Sequence, residues 1–198
     1  MQPIHRRVND SFRVVGFDPS LRNWGVAKGT LVAGESPILT IDSLDVIQPI
    51  QSKGKQVRQN SLDLEAAEQL AKAVMTHAEG AQAIFVEVPV GSQNSRASLS
   101  CGLCIGVLGA LRATGVPFYE VTPTEVKMIS AGKKTATKIE MIEWAMMKHP
   151  EAPWPMKSEK GVVSVVAGTA EHMADALAAI YAGIDSKSFK QMLAFLVR

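Results

Sequence analysis

The chain has 198 residues, enough for one domain with a substantial core, and it is read as a single domain over 1–198. Hydrophobic residues make up 46% of it, which argues against disorder, yet no apolar run approaches the roughly 20 residues that a membrane helix needs. With a net charge of +2 and only two cysteines, there is no bulk polyanion signal and no disulfide framework, so the placement of charge must carry any argument about partners.

The start, MQPIHRRVNDSFR, is polar and lacks the apolar core of a signal peptide; residues 1–11 read as an arm, and a cytoplasmic protein with no membrane partner is expected. An apolar run at 12–17, a turn at Asp-Pro-Ser-Leu-Arg-Asn and the run from Trp24 to Ala27 read as a β-hairpin. Ile38 to Val46 gives a third strand. The segment QPIQSKGKQVRQN holds Lys53, Lys55 and Arg58 without an acid, and reads as a basic loop. SLDLEAAEQLAKAVMTHAEG has helical spacing, with Ser61 or Asp63 expected to cap its start and Gly80 its end. AIFVEVPV is a strand, apolar apart from Glu87, of the kind covered on both faces of a sheet.

Residues 95–114 read as a helix rich in Gly, Ala, Ser and Cys, whose small residues let another helix approach closely. Cys101 and Cys104 lie in this apolar helix and read as buried core. VPFYEV is a further strand. TPTEVKMISAGKKTATKIEMIEWAMMKH opens with a short helical turn, passes through a Gly-Lys-Lys loop and continues as a longer helix. EAPWPMKSEKGVVSVVAGTA reads as a loop with a short hairpin at VVSVV. A helix follows in EHMADALAAIYAG, and residues 186–198 read as an appended helix. The order is mixed α/β, with an antiparallel start and a parallel continuation.

Four residues stand out. Asp18 and Glu87 sit in apolar runs that read as buried strands, where a carboxylate is costly unless something pairs it. His172 and Asp175 are three apart and share a helix face, whereas Glu171 should face elsewhere. Taken singly, Asp18 could hold a turn and His172 could be structural. Together, three carboxylates and an imidazole suggest a divalent cation, Mg²⁺ or Mn²⁺, and hydrolysis of a phosphodiester; two ions about 4 Å apart would serve such a reaction.

These segments, in this order, resemble RuvC-type Holliday junction resolvases of the RNase H-like superfamily. VVGFDPSLRNWGVA resembles their opening hairpin. AIFVEVPVGSQNSRASLSCGLCIGVLGAL resembles the strand with the catalytic glutamate and the long helix after it. FYEVTPTEVKMISAGKKTATKIEMI resembles their fifth strand and basic segment, and EHMADALAAI their final catalytic helix. The likeness spans about residues 12–184. It implies a mixed five-stranded RNase H-like sheet flanked by helices, with Asp18, Glu87, His172 and Asp175 as metal ligands and catalytic residues. Many relatives have Asp where this chain has His172, which can bind metal or act on the attacking water. Val90 stands where relatives often carry a base-stacking aromatic, and this leans toward the more permissive bacteriophage-type members, in a bacterial or phage-infected cell.

The resemblance places DNA-binding lysines at Lys127 and Lys138. Lys133 and Lys134 cluster with them near a helix start, a ready phosphate site, and Lys53, Lys55 and Arg58 form a second candidate contact. The activity implied is symmetric nicking of four-way junctions to 5′-phosphate and 3′-hydroxyl ends by a homodimer, with the 95–114 helix near the interface. The competing readings are a branched-DNA-binding module with little catalysis, a broader flap or fork nuclease, and an actin-like ATPase or sugar kinase. The last needs two lobes and an adenosine-binding glycine motif, neither of which the chain provides.

Overall fold

The computed structural model describes residues 11–34, 36–52 and 58–196. Five strands form one sheet in the order β3-β2-β1-β4-β5. They are β1 (Ser11–Asp18), β2 (Trp24–Val32), β3 (Ile38–Ile47), β4 (Ala83–Glu87) and β5 (Phe118–Val121). β1 and β2 pair antiparallel, as do β2 and β3; β4 lies parallel to both β1 and β5. This is the mixed five-stranded sheet that the sequence predicts.

Strand alternation sorts the side chains into two cores. Val15, Phe17, Ile84 and Val86 pack beneath the helices α1 (Gln59–Ala78) and α2 (Ser95–Arg112). Phe12, Val14 and Phe85 face the other layer, made of α3 (Pro123–Ala131), α4 (Lys138–Lys148), α5 (Ala167–Asp185) and α6 (Lys187–Leu196). Asp18 is two residues beyond Gly16, and Glu87 two beyond Phe85, so the pleat aims both carboxylates at the α5 layer.

Gly16 and Gly25 are what bring α5 so close. A Cβ on Gly16 would stand 2.2 Å from the Ala176 carbonyl oxygen, and one on Gly25 would stand 2.0 Å from that of His172. Only glycine at these positions lets the backbone of α5 rest on the sheet.

Four details differ from the sequence reading. Helix α1 starts at Gln59 behind Arg58 with no side-chain cap, so neither Ser61 nor Asp63 closes it. Asp63 is instead buried, and its carboxylate accepts from Arg96 of α2 and from Gln59, because an unpaired carboxylate at that depth would be costly. The segment before α5 holds a full hairpin, β6 (Met156–Glu159) with β7 (Val162–Val165), so VVSVV contributes only its second strand. Helix α6 is more than an appendage: Phe189 is fully buried and meets Phe85 and Tyr119 edge-on. The loops before α3 and α4 carry capping boxes at Thr122–Glu125 and Thr137–Glu140, which set where those helices begin. Among the described residues no helix is long and apolar enough to cross a membrane. Lys53, Lys55 and nearly all of the N-terminal arm lie outside the described residues.

Candidate active site

The end of β1, the end of β4 and the first turns of α5 converge. His172 Nδ1 lies 3.0 Å from Asp18 Oδ2 across 154 residues of sequence, with each side chain 18% exposed. An ionised carboxylate only accepts, so the imidazole donates through Nδ1 and leaves Nε2 as the nitrogen available for other work. This bond favours the imidazolium and holds the His172 pKa above its ordinary value, against the opposing effect of burial.

The carboxylates sense one another. Burial pushes Glu87 up to about 8, and the negative charges of Asp18 and Asp175 add to that rise. Burial pushes Asp175 up to about 7, with Asp18 again contributing. Lys127 of α3 opposes both shifts, which places its ammonium within electrostatic reach of the site. Negative charge crowded at one partly buried point is what a cation neutralises, and three carboxylates with an imidazole suit a hard divalent ion. As the side chains stand, no group of three or more His, Cys, Asp or Glu among the described residues forms a ready metal cage. Asp18 is turned toward His172 instead.

The basic residues separate. Lys138 Nζ is 2.7 Å from Glu171 Oε2, and Lys133 is paired with Glu140. Among the described residues no ion pair takes up Lys127 or Lys134. Arg58 is exposed at the start of α1. Val90 is 78% exposed beyond β4.

Glu171 corrects the sequence reading, which turned it away from the site. It is the residue that sequence reasoning missed, since its carboxylate spans from Lys138 to within 3.5 Å of His172 Nε2. A signal for it existed. Lys138 opens a helix, where the macrodipole disfavours a cation, and so calls for an acidic partner on a neighbouring element.

Both cysteines are free; Cys104 is buried as the sequence suggests, with its thiol pushed up to about 12 by that burial, whereas Cys101 is only half-buried. A cavity of about 720 Å³ lined by the β2–β3 turn, α3, α5 and α6 holds none of the four site residues. The carboxylates lie apart from it, at the sheet end.

No protein-family model matches the chain. It is 31% identical over 147 residues to the crossover junction endodeoxyribonuclease RuvC of Anaeromyxobacter dehalogenans (strain 2CP-C), covering 71% of each protein. The chain belongs to the RuvC family. The RuvC of Anaeromyxobacter sp. (strain K) is likewise 31% identical, over 150 residues and 71% of each chain. Among solved structures, Thermus thermophilus RuvC superposes with a TM-score of 0.61 at 21% identity, covering 92% of this chain and 96% of that one. The same protein in complex with Holliday junction substrate gives a TM-score of 0.57 at 23% identity, over 87% and 96%. The yeast mitochondrial Holliday junction resolvase Ydc2 gives 0.60 at 17% identity, over 94% and 83%. These likenesses establish that the RuvC fold extends over nearly the whole chain.

Proposed function

We propose that this RuvC-family protein is a crossover junction endodeoxyribonuclease that resolves four-way DNA junctions by phosphodiester hydrolysis, leaving 5′-phosphate and 3′-hydroxyl ends. The observation that carries the reading is the convergence of Asp18, Glu87, His172 and Asp175 at one end of the sheet in a chain of this family. The family is one of divalent-metal-dependent nucleases. Asp18, Glu87 and Asp175 would hold the ions, which we take to be two Mg²⁺, with Mn²⁺ able to substitute. When bound, such ions supply a Lewis acid for the phosphoryl oxygens and ease ionisation of the attacking water.

The chain's own residues divide the remaining work. Asp18 fixes the orientation of the His172 ring through Nδ1, and Nε2 then takes the proton of the attacking water. The imidazolium so formed lies between the carboxylates of Asp18 and Glu171, which favour its charge. Lys127 balances the acids of the site, while Lys134 and Lys138, with Lys133 beside them, meet the DNA backbone. Lys53, Lys55 and Arg58 supply a second, looser contact.

We further propose a homodimer with α2 near its interface. Leu99 and Ile105 of α2 are 45% and 46% exposed, and Gly102, Gly106 and Gly109 leave open space beside the helix. A two-fold dimer would set two sites on symmetric strands of a junction.

The test is Asp18→Asn, assayed on a synthetic four-way junction with flap and fork controls. Nicking in Mg²⁺ or Mn²⁺ should fall by at least about a thousandfold, since the change removes both an anionic metal ligand and the charge that favours the His172 imidazolium. Junction affinity should stay within a few-fold. Undiminished nicking overturns the assignment. A wild-type protein that binds junctions but nicks none in either ion is a binding module.

A further inference from the structure

Glu171 has two partners of different kinds. Its Oε2 accepts from Lys138 Nζ at 2.7 Å, and its Oε1 lies 3.5 Å from His172 Nε2. The lysine side chain is 77% exposed, whereas that of the glutamate is only 17% exposed. Ion pairs at a surface usually contribute little, because two flexible side chains must be ordered at once. Here one partner is already fixed. Glu171 rides on α5, and the contacts of Gly16 and Gly25 with the α5 backbone clamp that helix to the sheet.

Lys138 gains nothing from its own helix. It is the first residue of α4, at the positive end of the macrodipole, where a cation is disfavoured. Glu171 offsets that disadvantage from the neighbouring helix. An ammonium has three donors, so after serving Glu171 it keeps two for phosphate oxygens. Lys133 lacks this link to α5, because its partner is Glu140 of its own segment.

We propose that Glu171 is a positioning residue that holds the Lys138 ammonium beside the Asp18–His172 pair, so that a DNA backbone phosphate meets a charge already in place. The proposal rests on the junction-nuclease reading for its substrate. It adds that an acid beside the site improves the grip on a polyanion, although its own charge repels one.

A double-mutant cycle tests it, with binding to a fluorescent four-way junction measured without divalent metal and thermal unfolding as the check on folding. Lys138→Ala should weaken binding about fivefold and lower the slope of log affinity against log salt by about one. Glu171→Ala should weaken binding about threefold when Lys138 is present, as expected for coupled neighbours. In the Lys138→Ala background the same change should leave binding unchanged or strengthen it, because only a repulsive charge is lost. Glu171→Gln, which keeps an acceptor for the lysine, should recover part of the loss.

Strengthening by one factor in both backgrounds means that Glu171 only repels DNA. Greater strengthening with Lys138 present means that it sequesters the lysine. Equal weakening in both means a purely structural role. Each of these outcomes overturns the proposal. Failure of the nuclease reading would show separately, as absent nicking by the wild type with Mg²⁺ and Mn²⁺, while the binding cycle remained readable.

Discussion

Helices α5 and α2 lie on opposite faces of the sheet and are both rich in small residues, but they use them in opposite ways. Ten residues of α5 are buried, and its backbone touches the sheet at Gly16 and Gly25. Only Cys104, Val107, Leu108 and Leu111 of α2 are buried, and its three central glycines meet nothing within 4 Å. Small residues on α5 and its strands remove distance, so the α5 backbone rests directly on the sheet beside Asp18. Small residues on α2 leave a face open. One helix is held against the sheet beside the candidate site, and the other keeps an exposed face.

The contrast breaks most severely at Gly25. A Cβ there would stand 2.0 Å from the His172 carbonyl, a backbone atom that cannot swing aside. Gly25→Ala should destabilise the fold by about 3 kcal/mol, at the upper end of overpacking costs. It should also lower nicking by about a hundredfold at temperatures where the protein stays folded, since the Asp18–His172 contact would be displaced. Thermal unfolding and junction nicking measure the two effects. A variant that unfolds at the wild-type temperature and nicks normally would show that α5 is not clamped here.

This clamp also marks how far the sequence can be read. The apolar runs VVGFD and AIFVEV are enough to place Asp18 and Glu87 on strands, and the i, i+3 spacing puts His172 beside Asp175. The close approach is not legible, because a glycine in a strand looks the same whether a helix or water lies over it. Small residues therefore point to 95–114, while the tight contact forms under α5. Glu171 escapes notice for a related reason: helical spacing assigns a face, but the face acquires its meaning from Lys138 on another helix. Asp63 reads as a cap because caps are local; its actual partner, Arg96, is 33 residues away. The β6 strand, MKSE, carries no apolar alternation and is found only through its pairing with β7.

Charge on the α5 side should produce the next largest effect. Glu87 is held at about 8 and Asp175 at about 7, both raised above ordinary carboxylate values, chiefly by burial. The folded protein thus binds protons between about pH 4 and 8 that the unfolded chain has released. Metal-free stability must therefore fall as pH rises through that window, and the raised His172 pushes the same way as pH climbs past its unfolded value. A divalent ion must displace these protons. Its apparent affinity should rise at least about tenfold per pH unit between pH 5.5 and 6.5, and level off above about 8. The increase in Tm on adding Mg²⁺ should accordingly be several degrees larger at pH 8 than at pH 5.5. An increase independent of pH would mean that Glu87 and Asp175 do not share the ion.

The smallest effect sharpens the α2 side. A Cβ on Gly106 would meet nothing within 4 Å, so a methyl group fits the isolated subunit without cost. Within a helix interior, Gly106→Ala should stabilise the fold by about 0.5–1 kcal/mol through backbone entropy and helix propensity. If α2 meets its twin across a two-fold axis, the same methyl intrudes where the partner helix comes closest. Self-association should then weaken even as the subunit gains stability. Sedimentation equilibrium and thermal unfolding of the one variant read both signs together. A subunit gain without loss of association would place the dimer contact elsewhere, and would make the open face of α2 a solvent surface rather than the counterpart of α5.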